Sequence, residues 1–215
     1  MPRILGARQI NHEKGYAMKY AETTYLMKKR MAGALREALM QKSFSKITVS
    51  DIVDTCGVNR KTFYYHFSDI HALLRWMFAE EFRELMHPYD MLNDYVSLAN
   101  SVMDYVEKNE TIFHNIVNTV GEDGLKRALY EDIQDLQSRV VSGFETRYSA
   151  TFEEEFRTFL VKFLADAIVG ILMEWIRRRR YRNREKTIEY LRDIFLAAIP
   201  GLIEHRVHLS DEKIF

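Results

Sequence analysis

The chain is 215 residues long, 47% apolar and 13% aromatic, which is enough to bury one or two cores and excludes an intrinsically disordered segment. Its 31 basic and 31 acidic side chains leave no formal net charge, so no global field draws it to nucleic acid or to an anionic membrane. A single cysteine excludes a disulfide framework within the chain.

Residues 1–23 scatter Arg3, Arg8, Lys14 and Lys19 among small and polar residues without clear periodicity, and read as a mobile extension. They lack the continuous apolar run of a signal peptide, so a cytoplasmic location is expected. Three prolines, nine glycines and apolar residues at three-to-four spacing then predict an all-α protein of about nine helices. The pattern divides into a three-helix helix-turn-helix domain over 24–70 and a helical dimerisation and effector body over 71–215. The first helix is predicted over Tyr25 to Lys42, with Met27, Met31, Ala34, Leu35, Ala38 and Leu39 on one stripe.

Thr48 to Phe67 carries the densest chemistry. Thr48 and Asp51 form a capping-box pattern, Ile52, Val53 and Cys56 an apolar face, and Gly57 supplies the positive φ needed to leave a helix through a tight turn. Asn59 is a second N-cap, and Phe63 and Phe67, four apart, should face inward. Arg60, Lys61, Thr62, Tyr64, Tyr65 and His66 then face outward: two cations, a hydroxyl, two phenols and an imidazole on barely two turns. Such a face suits the phosphate oxygens and base edges of double-stranded DNA; an exposed basic, aromatic helix also serves as a protein-binding surface. Charge is concentrated here, with Lys28, Lys29, Arg30, Arg36, Lys42, Lys46, Arg60 and Lys61 against only Glu37, Asp51 and Asp54 between Thr24 and His66.

The run ITVSDIVDTCGVNRKTFYYHFSD, with the helix before it and Leu73 after it, resembles the N-terminal domain of the TetR family of bacterial transcription regulators over residues 24–75. The resemblance implies that the helix opened by Thr48 braces against the DNA backbone and that the short helix opened by Asn59 enters the major groove. It places the family's Tyr at Tyr64, an aromatic or basic residue at Tyr65, an aromatic or His at His66 and the closing Phe at Phe67. The family usually has a phosphate-contacting Lys where this chain has Ile70. Ser68 is the expected substitute, as a helix cap whose neighbouring N–H groups meet a phosphate, with His71 partly replacing the charge. The stretch NRKTFYYHFSDIHALLRWMF further resembles a branch that includes an activator of a dihydroxyacetone kinase operon.

Beyond this segment, Ser68 to His87 is predicted as one helix, with Leu74, Phe78, Phe82 and Leu85 on its apolar face and Pro88 ending it. Helices follow over 90–108, 110–119, 122–148, 152–181 and 184–204. The Gly121-Glu-Asp-Gly124 turn separates two of them, and a capping box at Thr151 and Glu154 opens the fourth. The apolar run from Phe159 to Ile176 has the length of a membrane span, but Lys162, Asp166 and Glu174 interrupt it, so no membrane partner is expected. A helix buried on two sides fits better, with Ala167, Gly170, Ile171 and Glu174 admitting a second helix. Leu191, Ile194, Ala198, Gly201 and Leu202 repeat that character in the last helix, and two such helices from each of two chains make a four-helix homodimer interface. The resemblance implies the same arrangement. The Arg177 to Arg180 run reads as a solvated helix C-terminus.

No phosphate loop, metalloprotease motif, paired cysteines or nucleophile elbow is present, so no catalytic residue, metal or cofactor is expected. Cys56 reads as a small apolar core residue, and His205 and His208 as surface histidines. In the body, apolar faces containing Phe82, Met86, Met103, Tyr105, Phe113 and Ile116 suggest a pocket for a small apolar effector, with His114 and Asn118 as its polar contacts. The composite expectation is a homodimeric, ligand-responsive repressor on an inverted-repeat operator. The alternative is an activator, or a regulator whose body docks a protein co-regulator.

Overall fold

Apolar residues at helical spacing fold as helices along the whole chain in this computed structural model, which describes residues 5–90, 92–177 and 183–212. Among the described residues there are eight helices, one 3-10 turn and no strand. They group into two compact units, Met1–Met77 and Phe78–Phe215.

Unit 1 holds α1 (Leu5–Gln41), the 3-10 turn Phe44–Lys46, α2 (Val49–Cys56), α3 (Arg60–His66) and the first part of α4 (Ile70–Met86). The helix α1 therefore starts at Leu5 and not at Tyr25; residues 5–24 are helical although their sequence shows no regular apolar stripe. Met31, Leu35 and Leu39 from α1 are fully buried, as are Ile52 of α2, Phe63 of α3 and Leu73 of α4, so all four helices contribute to one core.

Unit 2 holds the rest of α4, α5 (Tyr95–Lys108), α6 (Glu110–Arg147), α7 (Glu154–Arg177) and α8 (Arg184–Glu212). The helix α6 breaks at Gly121, whose φ of 72° and ψ of 172° are not helical. The expected turn is thus present, and counting the two limbs separately gives nine helical segments. Gly124 is needed three residues on, because a Cβ there would lie 2.6 Å from the Val120 side chain. Val141, Phe144, Leu160, Leu164, Phe195 and Ile199 form the main core shared by α6, α7 and α8. Arg157 ties α7 to α6 through Glu145 at 3.2 Å and the Ser142 hydroxyl at 2.7 Å. Arg184 ties α8 to α5, donating to the Asn100 carbonyl at 2.8 Å and the Asp104 carboxylate at 2.7 Å.

The start of α7 differs from expectation. Its first intrahelical bond runs from the Arg157 N–H to the Glu153 carbonyl, so the boundary lies at Glu153 and Thr151 stays outside the helix. Instead, the Glu145 carboxylate accepts the Phe152 N–H at 2.9 Å. No helix among the described residues is long and apolar enough to cross a membrane, and the run Arg178 to Arg180 lies outside the described residues.

Candidate nucleic-acid interface

The reading of Thr48 to Phe67 from local chemistry carries over to the atoms. The Thr48 hydroxyl accepts the Asp51 N–H at 3.3 Å, while the Asp51 carboxylate accepts the Thr48 N–H at 2.7 Å, closing a reciprocal capping box. Gly57 leaves α2 with φ 61° and ψ 35°, the left-handed conformation that a Cβ disfavours. The Asn59 side-chain oxygen accepts the Thr62 N–H at 2.9 Å and opens α3. Each cap satisfies a helix N–H that would otherwise lack a partner, and together they set the angle between α2 and α3.

The first helix and the residue that follows it fasten both ends of α2. Lys42 pairs with Asp51 at 2.9 Å at its start, and Arg30 donates to the Cys56 carbonyl at 2.8 Å at its end. Lys42, together with the Thr48 backbone and hydroxyl donors, pulls the Asp51 carboxyl down to about 2. Lys28 lies 5.6 Å from the Phe67 ring centroid and 5.9 Å from that of Trp76. Three of the cations that make this region basic therefore position the reading head, a role that composition alone does not reveal. Cys56 is buried and burial pushes its thiol up, which keeps it protonated and apolar.

On α3, Phe63 is fully buried and Phe67 nearly so, which turns the opposite side to solvent. Arg60, Lys61, Tyr64 and Tyr65 are exposed, Tyr65 the most open of the four aromatics at 65%. Thr48 and Asn59 are exposed caps, at the starts of α2 and α3. Two members of the predicted set sit differently. Thr62 is half-buried, with its hydroxyl donating to Asn59 at 3.2 Å, so it serves the cap. His66 is also half-buried, and burial, with Lys28 nearby, lowers its pKa, leaving a neutral imidazole at neutral pH. The cationic part of the face is accordingly Arg60 and Lys61. The Arg60 guanidinium donates to the Ser50 hydroxyl of α2, which holds its stem along the helix pair and leaves further N–H groups open. Tyr65 shares a short hydroxyl–hydroxyl contact with Tyr20 of α1, which gives the extended first helix a contact with the recognition face.

The N-terminus of α4 is capped by Asp69, not Ser68. The Asp69 carboxylate accepts the Ala72 N–H at 2.8 Å and is held below the usual carboxylate range chiefly by that bond. A carboxylate already occupies the positive end of the helix, so this end repels a phosphate and does not replace the lysine that Ile70 displaces. His71 is spent on an edge-to-face contact with Phe44, 5.0 Å between centroids.

In unit 2, the residues expected at a dimer face fall into two groups. Ala167, Gly170, Ile194, Ala198 and Gly201 are exposed, whereas Ile171, Glu174, Leu191 and Leu202 are half-buried. Ile171 and Leu191 line a partly open apolar cavity, and Leu202 packs on the main core. Phe159, Phe163, Tyr190 and Leu196 are exposed aromatics and aliphatics that the small-residue pattern passed over, with Phe159 and Phe163 stacked at 6.2 Å. His114 and Asn118 are exposed and line an open cleft with Val117, Met173 and Arg177, separate from the cavity. The cavity has Phe82 and Met103 in its wall as expected, but its amide is Gln137. The described residues contain no group of three or more His, Cys, Asp or Glu placed to hold a metal.

Residues 33–77 match the family model for bacterial regulatory proteins of the TetR family, and residues 93–197 match a transcriptional regulator C-terminal region of the same family. The dhaKLM operon transcriptional activator DhaS of Lactococcus lactis subsp. lactis (strain IL1403) is 25% identical over 177 residues, covering 81% of this chain and 91% of the relative. Among solved structures, a dihydroxyacetone kinase operon activator DhaS superposes with a TM-score of 0.58 at 20% identity, over 84% of this chain and 97% of its own. A TetR-family regulator from Syntrophomonas wolfei str. Goettingen gives 0.54 at 17% identity, over 83% and 97%. These likenesses extend from the reading head through the helical body, and both matched models describe transcriptional regulators rather than enzymes. With the capped helix pair, the outward Arg60-to-Tyr65 face and the helical body behind them, the chain belongs to the TetR family of transcriptional regulators.

Proposed function

We propose that the protein acts as a homodimer that reads an inverted-repeat operator, with α3 of each copy in a major groove. The observation that carries this reading is the division of α3: Phe63 and Phe67 are buried while Arg60, Lys61, Tyr64 and Tyr65 face solvent together. Arg60 has the donors for a guanine edge, Lys61 and the phenols those for backbone phosphate, and Thr48 and Asn59 present the starts of α2 and α3 to the DNA backbone. Two-fold symmetry supports half-sites about one helical turn apart or slightly more, since major grooves recur at about 34 Å. The exposed Phe159, Phe163, Ala167, Gly170, Ile194 and Ala198 of α7 and α8 offer an apolar face that a second copy would cover. The body of unit 2 is the sensing part, and the protein works in the cytoplasm, where its DNA is.

Selection of bound sequences from random DNA, followed by footprinting, tests the reading. The expected result is a symmetric inverted repeat protected by a dimer; a single asymmetric half-site bound by a monomer would defeat it. Repression follows if that operator overlaps a promoter. A second reading, activation, is favoured by the Lactococcus relative, which is named an activator. Transcription in vitro from a promoter bearing the selected operator separates the two by the sign of its change.

A further inference from the structure

The first helix does more than brace α2. Its inward stripe runs through Leu35 and Met31, both fully buried, then Met27 and Thr24, both half-buried, and at the same three-to-four spacing ends on Tyr20, which is 59% exposed. On that side of α1, Lys28 lies over the Phe67 ring at the end of α3. The stripe therefore leaves the core beside α3 and carries Tyr20 to its outward face, where the Tyr20 hydroxyl meets the hydroxyl of Tyr65. Tyr20 lies ahead of residues 33–77, which match the family model, so the contact comes from a part of α1 that the model does not cover.

Tyr65 is 65% exposed. An exposed tyrosine samples several rotamers in solution, and freezing one of them when DNA binds costs affinity. Here the ring is held at two points. Its centroid lies 5.0 Å from that of His66 in an edge-to-face contact, and its hydroxyl is engaged by Tyr20. Two phenol hydroxyls carry two protons, of which one serves the bond between them and the other is left to donate outward. The hydrogen bond to Tyr65 raises the Tyr20 pKa, so Tyr20 stays a neutral donor beside a polyanion. A phosphate oxygen that accepts from Tyr65 makes Tyr20 the donor within the pair, and a hydroxyl that accepts one bond is a stronger donor of the next.

We propose that Tyr20 is a positioning residue for operator binding: it donates to the Tyr65 oxygen, holds that ring in one orientation and leaves the Tyr65 O–H for a DNA phosphate oxygen. The inference rests on reading α3 as the helix that enters the major groove, and adds the N-terminal part of α1 to the DNA-binding machinery. The pair takes no part in base preference, because a phosphate carries no sequence.

Fluorescence anisotropy of the full chain on a labelled duplex carrying the site selected from random DNA tests this with Tyr20→Phe, Tyr65→Phe, the double variant and Arg60→Ala. Tyr20→Phe removes only a hydroxyl, so its melting temperature should match the parent's. It should weaken binding about two- to tenfold, the range that one neutral hydrogen bond supplies, and by the same factor on every operator variant. The double variant should bind no more weakly than Tyr65→Phe alone, since Tyr20 acts only through Tyr65. Methylphosphonate substitution at one phosphate at a time should find a position in each half-site where the parent and Tyr20→Phe bind equally. Unchanged binding in Tyr20→Phe, additive losses in the double variant, an altered base preference, a fall in melting temperature that accompanies the loss, or a gap that persists at every substituted phosphate would each overturn the proposal. A loss in Arg60→Ala with none in Tyr20→Phe strikes this inference alone, whereas binding unchanged in both strikes the reading of α3 with it.

Discussion

Arg60 and Asp51 show how much single residues carry in the reading head. Arg60 is exposed at the first position of α3, and its donors point from a stem held by Ser50. Arg60→Ala should weaken operator binding by about 1–3 kcal/mol and relax preference at one base pair, read by titrating operator variants. A loss equal for all sequences would make Arg60 a phosphate contact instead. Asp51 acts on stability. Its carboxyl is held down to about 2 in the folded chain, against about 3.9 when unfolded, so the unfolded state binds more protons between those values. Its contribution is complete above the unfolded value and disappears as pH falls toward the folded one. Denaturation of the parent and Asp51→Asn should therefore differ at pH 7 and converge between about pH 4 and about pH 2. A gap independent of pH would assign the effect to side-chain shape. Thr48, Gly57 and Asn59 were legible in the sequence because a cap depends on residues two or three positions away. Lys42, Arg30 and the choice of Asp69 over Ser68 were not, because their partners come from folding.

Elements were legible where a local signal ends them. Gly57 ends α2, and the Gly121 turn divides α6 where glycines in sequence marked it. Gly121 combines φ 72° with ψ 172°, a region that side-chain-bearing residues avoid. Gly121→Ala should destabilise unit 2 by about 1–3 kcal/mol in urea unfolding, although no atom lies within 4 Å of the added methyl. Unchanged stability would show that the break relaxes into another conformation. Helix α1 escaped the periodicity reading because the sequence of its early turns carries no regular apolar stripe, which is what that reading detects. The candidate polar contacts His114 and Asn118 line a cleft of ≈ 160 Å³ apart from the cavity that holds Gln137. Which side of a long helix faces inward is settled by packing, and beyond the Gly121 break that packing brings Gln137 inward.

For the whole molecule, the apolar residues left exposed on α7 and α8 are the face proposed for assembly. An added Cβ at Gly170 meets nothing within 4 Å in the single chain. Gly170→Leu should thus leave helicity and monomer stability intact while yielding monomers in light scattering, with operator binding weakened because the half-sites lose their linkage. An unchanged dimer mass would move the interface elsewhere, toward Phe159 or Leu196. The small-residue pattern named Ala167, Gly170 and Ala198 on this face but gave no role to Phe159 and Phe163, since a sequence cannot distinguish an aromatic left exposed from one buried within the chain. The lone cysteine gives access to the relative stability of the two units. Cys56 is buried in unit 1 and no other thiol exists in the chain, so a thiol-specific reagent acts as a clock whose rate rises when the reading head opens. Its rate of modification, set beside the global unfolding rate, should be faster if the head opens alone and equal if both units open together. An operator fragment that binds only the closed head should slow that clock in proportion to its occupancy, turning an unreactive side chain into a gauge of DNA affinity that requires no label.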